Sequence, residues 1–139
     1  MNNIADFRIL STDLGEPVDL KGFCQNVNEF LAKGYTIKGG VMGSIGKYKR
    51  ISQAVVKYRG EPDETHVVDY DIIWTGASQY GAHPMECSAP LERFLLSQVE
   101  AGWSLYGDTM YSRDTDDYHR SHYYAQILVK YRVPTLSLI

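Results

Sequence analysis

The chain is short of the residues that would make its chemistry easy to assign. Only two cysteines, Cys24 and Cys87, occur in 139 residues. They are far apart and outside any Cys-x-x-Cys pattern, which excludes a disulfide scaffold and a four-cysteine zinc site. Both are expected to be buried or half-buried thiols. No apolar run approaches the ~18 residues that a membrane-spanning helix needs. The opening MNNIADFRIL has no basic segment followed by an apolar stretch, so no secretory leader is expected. The expected compartment is the cytoplasm, or the host cytoplasm for a phage-encoded chain. Positive charge is not in excess either: 14 Lys+Arg stand against 17 Asp+Glu, a formal net charge of −3. That argues against sequence-independent binding of long nucleic acid, which needs a row of unopposed cations. It leaves room for a small anion in a local pocket. Proline is sparse, at 5, while 44% of residues are hydrophobic and 22% charged, so a folded domain is expected over a disordered chain.

What is abundant is tyrosine. There are 11, six of them between Tyr106 and Tyr131. Tyrosine-rich segments suit ligand or partner surfaces, because the ring stacks while the hydroxyl hydrogen-bonds.

The chain also repeats itself, which decides how the rest is read. Gly34, Tyr35, Ile37, Gly39 and Met42 match Gly102, Trp103, Leu105, Gly107 and Met110 at a constant offset of 68. Gln53-Ala-Val-Val-Lys57-Tyr58-Arg59 matches Gln126-Ile-Leu-Val-Lys130-Tyr131-Arg132 at an offset of 73. Upstream, Arg8-Ile-Leu-Ser-Thr12 resembles Asp71-Ile-Ile-Trp-Thr75 at an offset of 63. Each copy reads strand, helix, strand, strand. First strands are expected at Phe7–Thr12 and Tyr70–Thr75, helices at Leu20–Lys33 and Pro90–Ala101, and third strands at Ala54–Tyr58 and Ile127–Tyr131. The helices show one-faced stripes, Phe23, Val27, Phe30, Leu31 and Leu91, Phe94, Leu95, Val99. Ser88-Ala-Pro90 suits a helix start, and Gly34 and Gly102 suit left-handed helix stops. The third strands are the most apolar and read as central. Linkers are expected at Gly60–Thr65 and Ser78–Glu86.

One such unit of ~65 residues is marginal alone, so the two should share a core. The expected fold is α+β: two tandem βαββ repeats forming a mainly antiparallel sheet of about six strands, with two helices packed on one face. This makes residues 1–139 a single compact domain, with the first repeat at 1–60 and the second at 66–135.

The string Val27-Asn-Glu-Phe-Leu31-Ala-Lys-Gly34-Tyr35-Thr-Ile-Lys-Gly39-Gly40-Val41, followed by Gln53-Ala-Val-Val-Lys57, resembles the bacterial and phage family called domain of unknown function 1737. That pattern is a helix ending in a Gly-aromatic pair, a Gly-Gly strand and a Gln-Ala-hydrophobic-Val-Lys strand. The second copy departs from it at Asp108 and Ile127. The resemblance implies a fold and almost nothing about chemistry. In size, layout and its Arg- and Tyr-rich second half, the chain also looks like the phage Thoeris anti-defence sponge proteins of the first type. That likeness implies a dimer or larger assembly that sequesters cyclic ADP-ribose isomers or cyclic oligonucleotides. It carries no residue-by-residue correspondence, and layout alone is a weak warrant for function.

Catalytic signatures fail. Gly40-Val-Met-Gly43-Ser-Ile-Gly46-Lys47 lacks the first glycine of a phosphate loop, at Val41, and its final hydroxyl residue, at Tyr48. It reads as a hairpin tip. No Gly-x-Ser-x-Gly elbow occurs. His119 and His122, downstream of Asp114, Asp116 and Asp117, form a conceivable metal cluster but read as a solvated loop, so neither metal nor cofactor is expected. What stands out is the hairpin between second and third strands of each copy, where cations alternate with tyrosine. Arginine grips phosphate bidentately and tyrosine stacks on a base. The candidate ligand site is therefore Arg113, Arg120 and His119 for phosphates, with Tyr118, Tyr123 and Trp74 as stacking walls. Lys47, Tyr48 and Arg50 would join from the other repeat or another subunit. The plain alternative is charged tips for solubility and tyrosines packed on strands. Trp103, at the repeat position of Tyr35, is expected to be structural. Trp74 stands where the first copy has Ser11, which leaves core filling, a dimer contact or a pocket wall open.

Three functions follow from this reading. The first is a non-enzymatic protein binding a small nucleotide-like ligand, as a homodimer or higher homo-oligomer, with no long nucleic acid and no membrane as partner. The second is a protein–protein interaction module without a small ligand. The third is an enzyme acting on a nucleotide.

Overall fold

The computed structural model describes residues 3–12, 20–44, 50–78, 84–115 and 120–132. Its elements are β1 (Ile4–Ser11), α1 (Leu20–Ala32), β2 (Thr36–Ser44), β3 (Arg50–Tyr58), β4 (Val67–Ser78), α2 (Pro84–Glu100), β5 (Ser104–Thr115) and β6 (Arg120–Tyr131). The fold is α+β, and each half is βαββ. The strands form two antiparallel three-stranded sheets, in order β1-β3-β2 and β4-β6-β5, so the apolar third strands are central as expected.

The expected single sheet of six strands is not formed. β2 lies against β5, yet no ladder joins them. Both carry a bulge, between Lys38 and Met42 and between Tyr106 and Met110, and a bulge bends an edge away from straight pairing. Nor do the two helices share one face. α1 packs on its own sheet and against β4 of the other repeat, whereas α2 packs on β4, β5 and β6. The stripe of α1 explains this. Leu20, Phe23, Cys24, Val27 and Leu31 are all buried, too broad a surface for one sheet to cover. The resulting core runs through both halves, from Leu10, Ile37, Ile51 and Val55 across α1 to Val67, Tyr70, Ile72, Ile127 and Val129.

The repeat is written into the backbone. Both helices stop in the same way. Gly34 (φ 95°) and Gly102 (φ 104°) occupy the left-handed position that a side chain disfavours. The Gly34 amide donates to Leu31 and that of Tyr35 to Phe30; Gly102 donates to Val99 and Trp103 to Gln98. These paired bonds satisfy the last carbonyls of a helix. In the first copy the Tyr35 ring also packs edge-on against Phe30, centroids 5.1 Å apart.

The matched glutamines explain themselves. Gln53 and Gln126 are buried and sit beside the bulges. Gln53 Nε2 donates to the Gly39 and Ala54 carbonyls, each at 3.0 Å, while Gln126 Nε2 donates to Tyr106, Gly107 and Ile127. A bulge leaves ladder groups unpaired, and a buried carbonyl must find another donor. The amide oxygens are also used: Tyr70 Oη donates to Gln53 at 3.1 Å and Thr109 Oγ1 to Gln126 at 2.6 Å.

Boundaries differ from expectation at several places. β1 and β4 begin three residues earlier, at Ile4 and Val67. α2 begins at Pro84, leaving Pro90 inside the helix, where its missing N–H forfeits one bond to the preceding turn. The expected linker Ser78–Glu86 shrinks accordingly, since Ser78 ends β4 and α2 takes residues from Pro84. Cys24 is buried. Cys87 lies on α2 with its side chain outside the described residues. Among the described residues no helix is long and apolar enough to cross a membrane.

Replacing Gln53 by Leu removes a donor from Gly39 and an acceptor from Tyr70 in a buried site. Unsatisfied groups of this kind cost about 1–3 kcal/mol. Urea unfolding of Gln53→Leu and Gln126→Leu should each show a loss of that order. Losses under about 0.5 kcal/mol, the range of an ordinary surface change, would show that the bulges do not need the amides.

Candidate functional site

The best-furnished concavity follows the seam where α1 crosses the exposed edge of β4. Helix and strand are joined there by Asn28, whose Nδ2 donates to the Tyr70 carbonyl at 2.9 Å and whose Oδ1 accepts from the Tyr70 amide at 3.0 Å. One side chain thus satisfies both outward-pointing backbone groups of an edge residue. Phe23 packs edge-on against the Tyr70 ring at 6.4 Å. Alongside runs a cleft of about 410 Å³, lined by Lys21, Gln25 and Asn28 from α1, Asp69, Asp71 and Trp74 from β4, and Trp103 at the end of α2.

Its polar groups have distinct settings. Asp69 and Asp71 each accept the backbone N–H of the next residue, at 2.9 Å. Partial burial holds the Asp71 carboxyl above its ordinary range, and the charge of Asp69 adds to this. The bonds from the Ile72 amide and the Cys24 thiol oppose the rise and are outweighed. Burial pushes the Tyr70 hydroxyl far up, so it stays a neutral donor. The indoles are placed differently. Trp103 follows the helix stop and carries Lys130 Nζ 4.7 Å from its ring centroid, in keeping with a structural role. Trp74 stands level with Ala125 and Met110 and is 44% exposed, so core filling does not account for it.

Trp74 also borders a second, more apolar groove of about 500 Å³ between β4 and α2, with Ile72, Ile73, Pro90, Leu91 and Phe94. With the buried Ile72, it is therefore common to both clefts. A third cleft, about 590 Å³, lies between residues 60–66 and the first sheet, where Lys57 and Arg59 are balanced by Glu61 and Asp63. His66 lines it, held below its ordinary range by burial and by the charge of Arg132.

The expected ligand residues are distributed as follows. Trp74 lines the seam. Tyr123 is half-buried and packs on the shared core. Arg113 lies on β5 opposite His122, Arg120 opens β6 opposite Thr115, and Arg50 opens β3 opposite Ser44. The side chains of these three arginines lie outside the described residues, as do Lys47, Tyr48, Tyr118 and His119 entirely. The register puts the β5–β6 hairpin beyond the Trp74 end of the sheet, with Gly76 and Ser78 pairing Tyr123 and Ser121. Among the described residues no group of three His, Cys, Asp or Glu side chains could hold a metal ion.

Lys21, Gln25, Asn28, Asp69 and Asp71 were not singled out from sequence. Asp69 and Asp71 left a trace, two carboxylates alternating with apolar residues along one strand. Lys21 and Gln25 look like any solvated helix face.

No protein-family model matches the chain, no curated protein matches its sequence, and no solved structure matches its fold.

The raised Asp71 carboxyl sets a pH dependence. A raised folded-state value favours the fold below the unfolded value of 3.8, and that contribution is lost as pH rises through the folded value. Asp71→Asn keeps an oxygen for the Ile72 amide and removes the charge. It should melt at a higher temperature than wild type at pH 7, with the gap closing towards pH 3. A gap that is constant with pH would show that the carboxylate is fully solvated.

Proposed function

We propose that this chain is a non-enzymatic binding protein that captures a small nucleotide-derived ligand in the cytoplasm. The concrete form of the proposal is a phage anti-defence sponge for a cyclic ADP-ribose isomer or a cyclic oligonucleotide. The observation that carries it is Trp74. A large indole, exposed on an edge strand, forms the common wall of a polar and an apolar cleft. An indole in that setting offers a stacking face for a base. Asp69, Asp71 and Gln25 line the same seam and suit ribose hydroxyls and exocyclic amines. Carboxylates repel phosphate, so the phosphate grip is assigned to Arg113, Arg120 and His119 of the β5–β6 hairpin. Lys47, Tyr48 and Arg50 of the β2–β3 hairpin would add to it from the same or another subunit. Affinity would come from preorganised contacts, with no bond made or broken. The one described thiol fits this. Cys24 is buried beside a carboxylate, the reverse of the cationic setting that activates a thiolate.

A second reading, an interaction module without a small ligand, is favoured by exposed Phe7, Ile9, Phe94 and Leu96.

The test is a thermal-shift panel of cyclic ADP-ribose isomers and cyclic di- and trinucleotides, followed by tryptophan fluorescence. One ligand class should raise the melting temperature and quench the seam indoles. Trp74→Ala should weaken binding about tenfold, the effect of losing ~1.4 kcal/mol of stacking. Recovery of intact ligand after heating separates capture from turnover. No shift with any compound far above micromolar concentration sinks the proposal.

A further inference from the structure

The cleft of about 590 Å³ beside residues 60–66 opens at the start of β4, while Trp74 lies far along the same strand. Its volume is that of an ordinary small-ligand pocket. Its outer wall is tied down. Arg132 donates through its amide to the His66 carbonyl and through Nη1 to the Pro62 carbonyl. The His66 amide donates to the Asp63 carbonyl. The Thr65 amide and hydroxyl both donate to the Asp63 carboxylate, at 2.9 and 2.6 Å. A wall held in this way meets a ligand without first having to be ordered.

By formal count Lys57 and Arg59 are matched by Glu61 and Asp63, but the four charges are not equally available. Asp63 is committed to Thr65, and those bonds hold its carboxyl below the ordinary range. Asp6, opposite Lys57 on β1, is committed to Tyr35 and Arg8. Lys57 is held in place without being neutralised: its Nζ stands 5.8 Å from the Tyr35 ring centroid. The Arg59 guanidinium makes no hydrogen bond or ion pair among the described residues. That leaves two available cations against one available carboxylate, Glu61.

The repeat shows what the open guanidinium lacks. Arg59 and Arg132 are sister residues, and their amides make the same bond, to the carbonyls of Asn3 and His66. Lys57 and Lys130 each lie over the aromatic ring that follows a helix stop, Tyr35 and Trp103. The two copies part at the guanidinium. The linker gives Arg132 an oxygen, and nothing described gives one to Arg59. We propose that this cleft is an oxyanion site, in which Arg59 and Lys57 grip a carboxylate or phosphate group of a small ligand. Arg59 supplies a two-pronged contact, Lys57 a fixed point charge and the His66 imidazole a hydrogen bond. Glu61 repels the anion and limits its affinity. The site is separate from the seam and does not rest on the capture reading.

The test is amide chemical-shift mapping of the full chain by NMR, titrated separately with inorganic phosphate and with acetate at fixed ionic strength. One or both should move the amides of residues 57–66 saturably, and the tighter of the two names the source of the oxyanion. Arg59→Gln alters an exposed side chain. It should weaken binding about tenfold with an unchanged circular dichroism spectrum. Glu61→Gln should tighten it. No saturable shift at residues 57–66 with either ion, well above millimolar concentration, overturns the proposal. So does phosphate that moves the β5–β6 hairpin alone, or an unchanged affinity in Arg59→Gln. A weaker affinity in Glu61→Gln overturns it too, because it would mark a cleft for cations. Neither ion carries a base, so these outcomes leave nucleotide capture at Trp74 to its own test.

Discussion

Asn28 holds the two halves of this molecule in register. Its amide meets both backbone groups of Tyr70 that point away from the sheet. An edge strand brought into a shared interior must have those groups answered. Once Tyr70 is fixed, its ring packs on Phe23 and its hydroxyl reaches Gln53, which in turn closes the bulge at Gly39. A single polar anchor therefore connects α1, the second sheet and the central strand of the first. The hydrophobic core supplies most of the stabilisation, but it is non-directional. The amide selects where on the helix the strand sits.

The duplication supplies an internal control for reading the site. Three sister positions differ around the seam. Arg8 in the first copy is Asp71 in the second, Tyr35 is Trp103, and Ser11 is Trp74. In the first copy the Asp6 carboxylate accepts from Tyr35 Oη and lies 3.1 Å from Arg8 Nε, and these partners hold it below its ordinary range. The corresponding place in the second copy has Asp69 and Asp71, and Trp74 and Trp103 line the same cleft. A closed, self-neutralising cluster has become an open one with acceptors and rings. Packing alone would not require all three changes to fall along one cleft.

Much of the fold was legible because repetition turns single residues into pairs. Gly34 with Gly102, and Gln53 with Gln126, were visible as matches before their roles in helix stops and bulges were known. The central position of β3 and β6 followed from their unbroken apolar runs. What could not be read was the second covering of α1. Periodicity reports that a helix has a buried stripe and does not say how many surfaces lie on it. Asn28 carries no sequence signal for the same reason, since its partner is backbone and backbone has no sequence signature. Pro90 misled because proline at a helix start and proline one turn inside it look alike in sequence, and here Pro84 takes the earlier place. At the site, Trp74 was conspicuous only against Ser11. Asp69 and Asp71 gain meaning from the helix that crosses them, whose Asn28 lies 42 residues from Tyr70 in the chain.

Trp74 is where the two clefts meet. The apolar groove is walled by Phe94 and Pro90 of α2, and the polar seam by Asp69 and Asp71 of β4. On the proposed capture reading, a base would stack on the indole from the seam, while the groove keeps water from part of the ring. The seam aspartates repel phosphate, so a chain of net charge −3 suits an anionic ligand only where base and phosphate are met by different walls. A ligand with a base and no phosphate makes no such demand, and the seam alone would then be enough to hold it.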